Sequence, residues 1–345
     1  MSFRYSGLYP FHPFYPCLKQ FFNKNEREKR GKTVIPALPG KFLSLFEVPL
    51  MHATIRPFDT LRSAARYVRR FRNHTFVVKL GGELLDDPVL RRGVCAQLAL
   101  LWSFSIPLVI VHGGGVGLDG LCRKLGLPIQ KAAGRRITPP EVLEAAQMAF
   151  KGQLQMDFLG DLEAEGLPAV GLSGLDGGIL KAQKRPPVAV DGQVVDFGLV
   201  GDVTSVDVSL LKHLIDGGYV PVLAPFSVDE TGQVLNTNAD TVATELAIAL
   251  KAEKLFFMLK MPGLLSDPSN PSSLVPFADL ARLAELEASG AIKDGMRPKL
   301  SATRKALALG VASVHFVSGV LPDALLTEVF TNEGSGTMIT TEGAS

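Results

Sequence analysis

Apolar residues along the chain fall into two repeating patterns, and the points where each begins and ends outline an architecture. From Phe58 to Arg72, the residues Leu61, Ala64, Ala65 and Val68 recur at helical spacing, with Asp59 or Thr60 placed to cap the start. Arg66, Arg69, Arg70 and Arg72 crowd the end, where positive charge complements the helix dipole. An amphipathic helix is predicted. Thr75 to Leu80 is then a short apolar run ending in Gly81-Gly82, and Pro107 to Val111 is a second, ending in His112-Gly113-Gly114-Gly115. Four more such runs, Pro168–Leu172, Val220–Ala224, Leu255–Met258 and Val314–Val317, alternate with helical patterns. Apolar strands separated by helices predict an α/β fold with an open, mainly parallel central sheet sandwiched between helices, preceded by the N-terminal helix.

Other segments refine this outline. Thr138-Pro-Pro-Glu141 reads as a capping box with proline in the first turn, opening a long helix to about Glu165. Two hairpins are predicted, one turning at Asp191-Gly192 between Pro187–Val190 and Gln193–Phe197, the other near Thr231-Gly232 before Val234-Leu235. Residues 1–50 have neither period; with ten aromatics and the charged run Lys24 to Arg30 they read as a disordered extension or as an upstream start, with Met51 beginning the folded protein.

Composition narrows the classes of function. The chain is 46% hydrophobic and 20% charged, as a folded protein is. Its formal net charge of +2 is supplied by residues 1–50, so no basic stripe remains to suggest a nucleic-acid partner. The most apolar stretch, Ala96 to Val111, is broken by Ser103, Ser105 and Pro107, so no membrane span is expected. Cys17, Cys95 and Cys122 are odd in number, widely spaced and without a CxxC pair, which points to a reducing, cytoplasmic setting and away from a zinc site.

Three constellations carry chemistry. Lys79-Leu-Gly81-Gly82 and the glycines 113–115 lie at strand ends, where backbone N–H groups can approach phosphate closely and a lysine adds a point charge. Read singly, each glycine pair is a tight turn. Asn236-Thr-Asn238-Ala-Asp240 precedes the helix Val242 to Leu250, and Gly295-Met-Arg297-Pro-Lys299 precedes another from Leu300 to Leu309; alone, these are a helix cap and a solvated charge. Gly115-Val-Gly117-Leu-Asp-Gly120 also satisfies the dinucleotide-binding pattern, but the residue expected to be an acid ending the next strand is Glu141, in the first turn of a helix. No Walker A motif occurs.

Taken together, Lys79-x-Gly81-Gly82, His112-Gly-Gly-Gly115, Gly134-Arg-Arg136-Ile-Thr138, Asn236-x-Asn238-Ala-Asp240 and Gly295-Met-x-Pro-Lys299 resemble, in order and approximate spacing, the motifs of N-acetylglutamate kinases of the amino acid kinase family. The resemblance covers about residues 58–340. It implies an oligomerisation helix at 58–74, an amino-acid-binding lobe at 75–225 and a nucleotide-binding lobe at 226–342, with residues 1–57 outside. It implies ATP-dependent phosphorylation of the γ-carboxylate of N-acetyl-L-glutamate, in which Lys79 and Lys299 stabilise the transferring phosphoryl and Asp240 holds both lysines. Gly81, Gly82, Gly113 and Gly114 would donate backbone N–H groups to phosphoryl oxygens, Arg136 would grip the substrate α-carboxylate and Asn236 would bind the acetylated amino acid. Mg²⁺ would bridge the nucleotide phosphates without a direct protein ligand.

The segment Leu61 to Gly82 resembles the arginine-sensitive branch, which implies a hexamer built as a trimer of dimers and L-arginine as inhibitor. Tyr67, Glu328, Glu333 and Gly336 are the residues that would meet the effector, since an acid pairs with guanidinium and a phenol adds a contact. Three positions depart from the family pattern: Leu259-Lys260 stands where an acid is usual, Asp294-Gly295 where a glycine pair is usual, and Val116-Gly117 where Pro-Gln is usual. A kinase of N-acetylated or carrier-linked aminoadipate, a kinase of aspartate or glutamate, and a non-catalytic amino-acid-binding homologue are the alternatives.

Overall fold

The computed structural model describes residues 59–342, apart from 133, 191 and 293–295, so the expectations for residues 1–57 and for Asp294-Gly295 lie outside the described residues. The N-terminal helix runs Asp59–Phe71, close to the predicted span. Eight strands form the main sheet. Phe76–Leu80 lies inside it, paired in parallel with Leu108–His112 on one side and Lys254–Leu259 on the other. Val220–Ala224 and Ala169–Ser173 extend the sheet beyond the first neighbour; Ser313–Ser318, Thr337–Ile339 and Phe277–Ala278 extend it beyond the second. Among the described residues the sheet's antiparallel pairing is that of Ser313–Ser318 with Thr337–Ile339. The six strands predicted from apolar runs are all present, shifted at their ends by a residue or so.

Because both faces of this sheet are covered, its strands are apolar throughout, and side chains alternate between two cores. Val77, Val109, Leu255 and Phe257 belong to one, with Val242 and Ala243 of the helix Ala239–Ala249 and Leu300 and Ala306 of the helix Arg297–Ala308. Phe76, Val78, Leu80, Ile110 and Phe256 belong to the other, with Val94 and Leu98 of the helix Pro88–Ser103 and Phe158 and Leu162 of the helix Gln155–Ala164. Lys79 has the parity of Val77. It is therefore aimed at the face carrying the helices that begin near Asp240 and Lys299.

A smaller sheet joins Val234–Asn236, Phe226–Val228, Leu180–Lys184 and Gly201–Val206. Both predicted hairpins form, Val188–Val190 with Gln193–Val195 and Phe226–Val228 with Val234–Asn236. In the second, Asp229 accepts the amides of Thr231 and Gln233 at 2.9 Å each, fixing the turn.

Two predictions need correction. The capping box at Thr138 does not form: the helix Pro140–Gln147 has Pro139 at its N-cap with no side-chain cap, and buried Thr138 Oγ1 instead accepts a hydrogen bond from Asn236 Nδ2 at 3.1 Å. The long helix is also not uniform, because Met148–Leu154 is a π-helical segment joining Pro140–Gln147 to Gln155–Ala164. The Gly115, Gly117 and Gly120 of the dinucleotide-like pattern lie inside the helix Gly115–Leu125, not in a strand-to-helix turn.

Phe256 is fully buried in the sheet with its ring centroid 5.5 Å from that of Phe76. Phe256→Ala is expected to cost about 3–5 kcal/mol of unfolding free energy, measurable as a lowered urea midpoint with little change in slope.

Candidate active site

The carboxyl ends of the central strands hold the chemistry. Lys79 Nζ lies 2.9 Å from Asp240 Oδ1, and Lys299 Nζ lies 2.9 Å from Asp240 Oδ2. Each partner is placed by local structure. Lys79 is one residue from the end of its strand; Asp240 sits in the first turn of the helix Ala239–Ala249; Lys299 sits in the first turn of Arg297–Ala308. Asn238 caps the former helix, its side chain accepting the amides of Asp240 at 2.8 Å and Thr241 at 3.2 Å. Lys79 and Asp240 are only 8% and 7% exposed, so neither charge is stabilised mainly by water. Burial pushes the Asp240 carboxyl up, but the adjacent charges of Lys79 and Lys299 outweigh it and hold the group at about 2. The cluster keeps a net positive charge.

Two glycine loops meet beside it. A Cβ on Gly82 would stand 2.7 Å from both Cα and N of Gly114, and a Cβ on Gly114 would stand 2.3 Å from the Phe150 ring, so both positions require glycine for close approach. Phe150 belongs to the π segment, which presses it against Gly114 and, at 5.7 Å between centroids, against Phe226. Gly82 and Gly114 are at helix starts, where first-turn N–H groups lack partners within the helix. The expectation that all four glycine amides face a ligand is corrected here: Gly113 N–H donates to Leu80 O at 2.9 Å and Gly81 N–H to Met258 O at 3.4 Å, both continuing strand pairing.

These groups line a cavity of 390 Å³ with five cationic side chains, Lys79, Arg135, Arg136, Arg185 and Lys299, against two carboxylates, Glu83 and Asp240. Arg136 is held by hydrogen bonds from Nη2 to Asp119 and to Gly115 O, while its buried Nη1 has no partner among the described residues. An orphaned buried guanidinium N–H calls for an incoming acceptor. Asn236 also lines the cavity, oriented by its bond to Thr138. Sequence reading missed Arg135 and Arg185. The second is braced by Asp202, with Nε 3.0 Å from Oδ1, and stacks over Phe197 at 5.7 Å; neither partner is near it in the chain. His112 is fully buried, and burial lowers it to about 4, so the ring is neutral at physiological pH. Its Nε2 lies 3.3 Å from Gln155 Nε2, which also donates to the carbonyls of Leu172 and Val222 at 3.0 Å.

A second, more apolar cavity of 270 Å³ adjoins the first, lined by Leu259, Met261, Leu264 and Ile292 and by exposed Lys260. Glu83 and Lys299 line both. Among the described residues no three His, Cys, Asp or Glu side chains gather to hold a metal ion.

All four residues expected to meet an effector lie in or against the C-terminal loop between Phe330 and Thr337. The Tyr67 hydroxyl donates to Asn332. Glu328 Oε2 accepts the amides of Ser335 at 2.8 Å and Gly336 at 2.9 Å, while its Oε1 faces His315 Nδ1 at 2.7 Å. Glu328 is thus buried and already paired, whereas Glu333 is exposed. Sequence reading missed the rest of this network, in which Lys254 Nζ lies 2.9 Å from His315 Nε2. Burial lowers His315 to about 4 and Lys254 to about 8. A neutral ring accepting from the ammonium at Nε2 must carry its proton on Nδ1 and donate to Glu328.

Residues 74–318 match the amino acid kinase family. An acetylglutamate kinase of Myxococcus xanthus is 58% identical over 84% of this chain and 96% of its own length. The chain belongs to the acetylglutamate kinases of the amino acid kinase family. An N-acetylglutamate synthase structure from Neisseria gonorrhoeae, complexed with coenzyme A and N-acetyl-glutamate, is similar at TM-score 0.72 and 28% identity, over 83% of this chain. The chain spans 63% of that synthase's length. A second structure of the same synthase, complexed with coenzyme A and L-arginine, matches at TM-score 0.70 and 27% identity, over 82% of this chain and 65% of that one. The family fits the site, since amino acid kinases use ATP and the two cavities meet at Lys299.

The carboxyl of Asp240 is held below its ordinary value of 3.8, so its stabilising effect is complete above that pH and fades as pH falls toward about 2. Asp240→Asn is expected to lower stability near pH 7 by about 2 kcal/mol or more, and the gap to wild type should close as pH falls from about 3.8 to about 2. Urea midpoints measured across that range check both statements.

Proposed function

We propose that the chain transfers the γ-phosphoryl group of ATP to the γ-carboxylate of N-acetyl-L-glutamate, giving ADP and the acyl phosphate. A carboxylate oxygen forms the new P–O bond, the bond to the β-phosphate oxygen breaks, and its electron pair leaves on ADP; no proton need move. Such a step asks for in-line positioning and charge neutralisation rather than covalent help. The observation that carries the reading is the Lys79–Asp240–Lys299 cluster at the junction of a cationic and an apolar cavity. Its residual positive charge suits the transferring phosphoryl and the leaving oxygen. The apolar cavity suits the base of the nucleotide. Mg²⁺ bound with the nucleotide would neutralise phosphate charge, and Asp240, taken by both lysines, is not left to hold it.

In this reading Arg136 Nη1 meets the α-carboxylate and Asn236 the acetylated amino group, so residues 75–225 serve mainly the amino acid and 226–342 the nucleotide. The relative's name and the synthase complex with N-acetyl-glutamate support the acceptor. Inhibition by L-arginine is supported by the synthase complex with arginine and by the convergence of Tyr67, Glu328 and Gly336 on one loop. We place the enzyme in the cytoplasm as a hexamer, a trimer of dimers joined through the N-terminal helix. No described helix is long and apolar enough to cross a membrane.

An acyl-hydroxamate assay across N-acetylglutamate, N-acetylaminoadipate, glutamate and aspartate tests the acceptor, and N-acetylglutamate should give by far the highest kcat/KM. Lys79→Ala and Lys299→Ala should each lower kcat by about 10²–10³ while circular dichroism stays that of the wild type. Arg136→Lys should raise the acetylglutamate KM about tenfold or more with a smaller change in the ATP KM, because lysine cannot supply a planar fork. For regulation, light scattering alongside an arginine titration should show a hexamer whose activity falls with arginine; removal of residues 1–72 should leave dimers with weaker inhibition.

A further inference from the structure

The phosphate loop contains an acid that the phosphotransfer reading does not otherwise use. Glu83 follows Gly81-Gly82 directly, in the first turn of the short helix Gly82–Leu85. Its side chain folds back over the loop, so that a Cβ built on Gly81 would stand 2.6 Å from Oε1 and 2.8 Å from Oε2. The carboxylate therefore lies against the floor of the cradle, half-buried, lining both the cationic and the apolar cavity. The other carboxylate of these cavities, Asp240, has one lysine on each oxygen. Glu83 has no hydrogen bond or ion pair with another described residue. An ionised group left unpaired beside a phosphate channel repels the phosphates that enter it. That repulsion becomes attraction once a divalent cation stands between the two anions, and Mg²⁺ is commonly held by nucleotide phosphates plus one or two carboxylates.

We infer that Glu83 couples nucleotide binding to the divalent cation: its carboxylate disfavours metal-free nucleotide and favours the metal complex. The inference rests on the kinase reading and adds a residue with a defined role to it. Lys79 and Lys299 attract nucleotide with or without metal; Glu83 acts with opposite sign in the two cases. Its signature is the ratio of affinities with and without metal, a linkage quantity that a purely structural residue would leave unchanged.

The test is calorimetric titration with the non-hydrolysable analogue AMP-PNP, in excess Mg²⁺ and in EDTA, for wild type and Glu83→Gln. Wild type should bind much more tightly with Mg²⁺. In Glu83→Gln the ratio of Kd in EDTA to Kd in Mg²⁺ should shrink about tenfold, with tighter binding in EDTA and weaker binding in Mg²⁺. Paramagnetic resonance of Mn²⁺ should agree, with more free Mn²⁺ over the variant than over wild type at equal analogue concentration. If Glu83→Gln fails to fold, Glu83→Ala is read by the same ratio. A variant ratio within twofold of wild type, or a wild type indifferent to metal, overturns this inference while leaving the kinase reading in place. A wild type that binds no analogue in either condition overturns both.

Discussion

Asp240, shared between two lysines, is the constraint around which the site is arranged. A carboxylate taken from water at this depth is stable only with close counter-charge, and a single lysine would leave a neutral, inert pair. Two lysines on one carboxylate leave the cluster itself with net positive charge. The arrangement therefore stabilises an anion brought from outside, and its cost in the free protein is limited because Lys299 lies at the cavity rather than deep in the core. The geometry needs three separate elements to end at one point. The parity of the central strand turns Lys79 toward the right face, the Asn238 cap sets where the helix bearing Asp240 begins, and the proline in the first turn of the helix Arg297–Ala308 sets Lys299.

The glycine loops meet a different constraint, the close approach of two backbones beside the cavity. Gly82 and Gly114 touch across the gap between adjacent parallel strands, and neither leaves space for a methyl group. The π segment supports this contact from behind. By widening the helix at Met148–Leu154 it brings Phe150 against Gly114 and Phe226, so the loop at Gly114 rests on an aromatic floor rather than on solvent. The loop at Gly82 carries Glu83, so steric economy and charge discrimination are combined within a few residues.

What was legible in the sequence, and what was not, divides by range. Buried parallel strands announce themselves as apolar runs, and glycines at their carboxyl ends mark where ligands approach, so Lys79, Gly82 and Gly114 could be singled out from local pattern. The roles given to Asp240 and Lys299 came from resemblance; their meeting is a contact between residues 59 apart. Thr138 was misread because a threonine three residues before a glutamate has the form of a capping box, while its hydroxyl is taken by Asn236 from across the fold. The π segment left no clear mark except Gly152, a poor helix former in mid-helix. Arg185 was overlooked because its partners, Asp202 and Phe197, lie on other segments and an isolated arginine beside two prolines reads as surface.

The strand Lys254–Leu259 joins the two polar regions of the molecule. At its carboxyl end Leu259 and the following Lys260 line the apolar cavity, and at its amino end Lys254 is buried against Ser313 and His315 and over the Phe71 ring of the N-terminal helix at 4.9 Å. The strand is buried throughout and paired on both edges, so it cannot absorb a displacement locally. The strand meets the N-terminal helix through Lys254 over Phe71, and the loop held by Glu328 through His315. The starts of the helices Ala239–Ala249 and Arg297–Ala308 are where Asp240 and Lys299 sit. Separation of those starts by even a fraction of the ion-pair distance would weaken the Lys79–Asp240–Lys299 cluster. An effector acts through such a route only if it binds one arrangement better than the other, and the buried Lys254–His315–Glu328 network, fully paired as it stands, is a group that can favour one arrangement by being completed or broken.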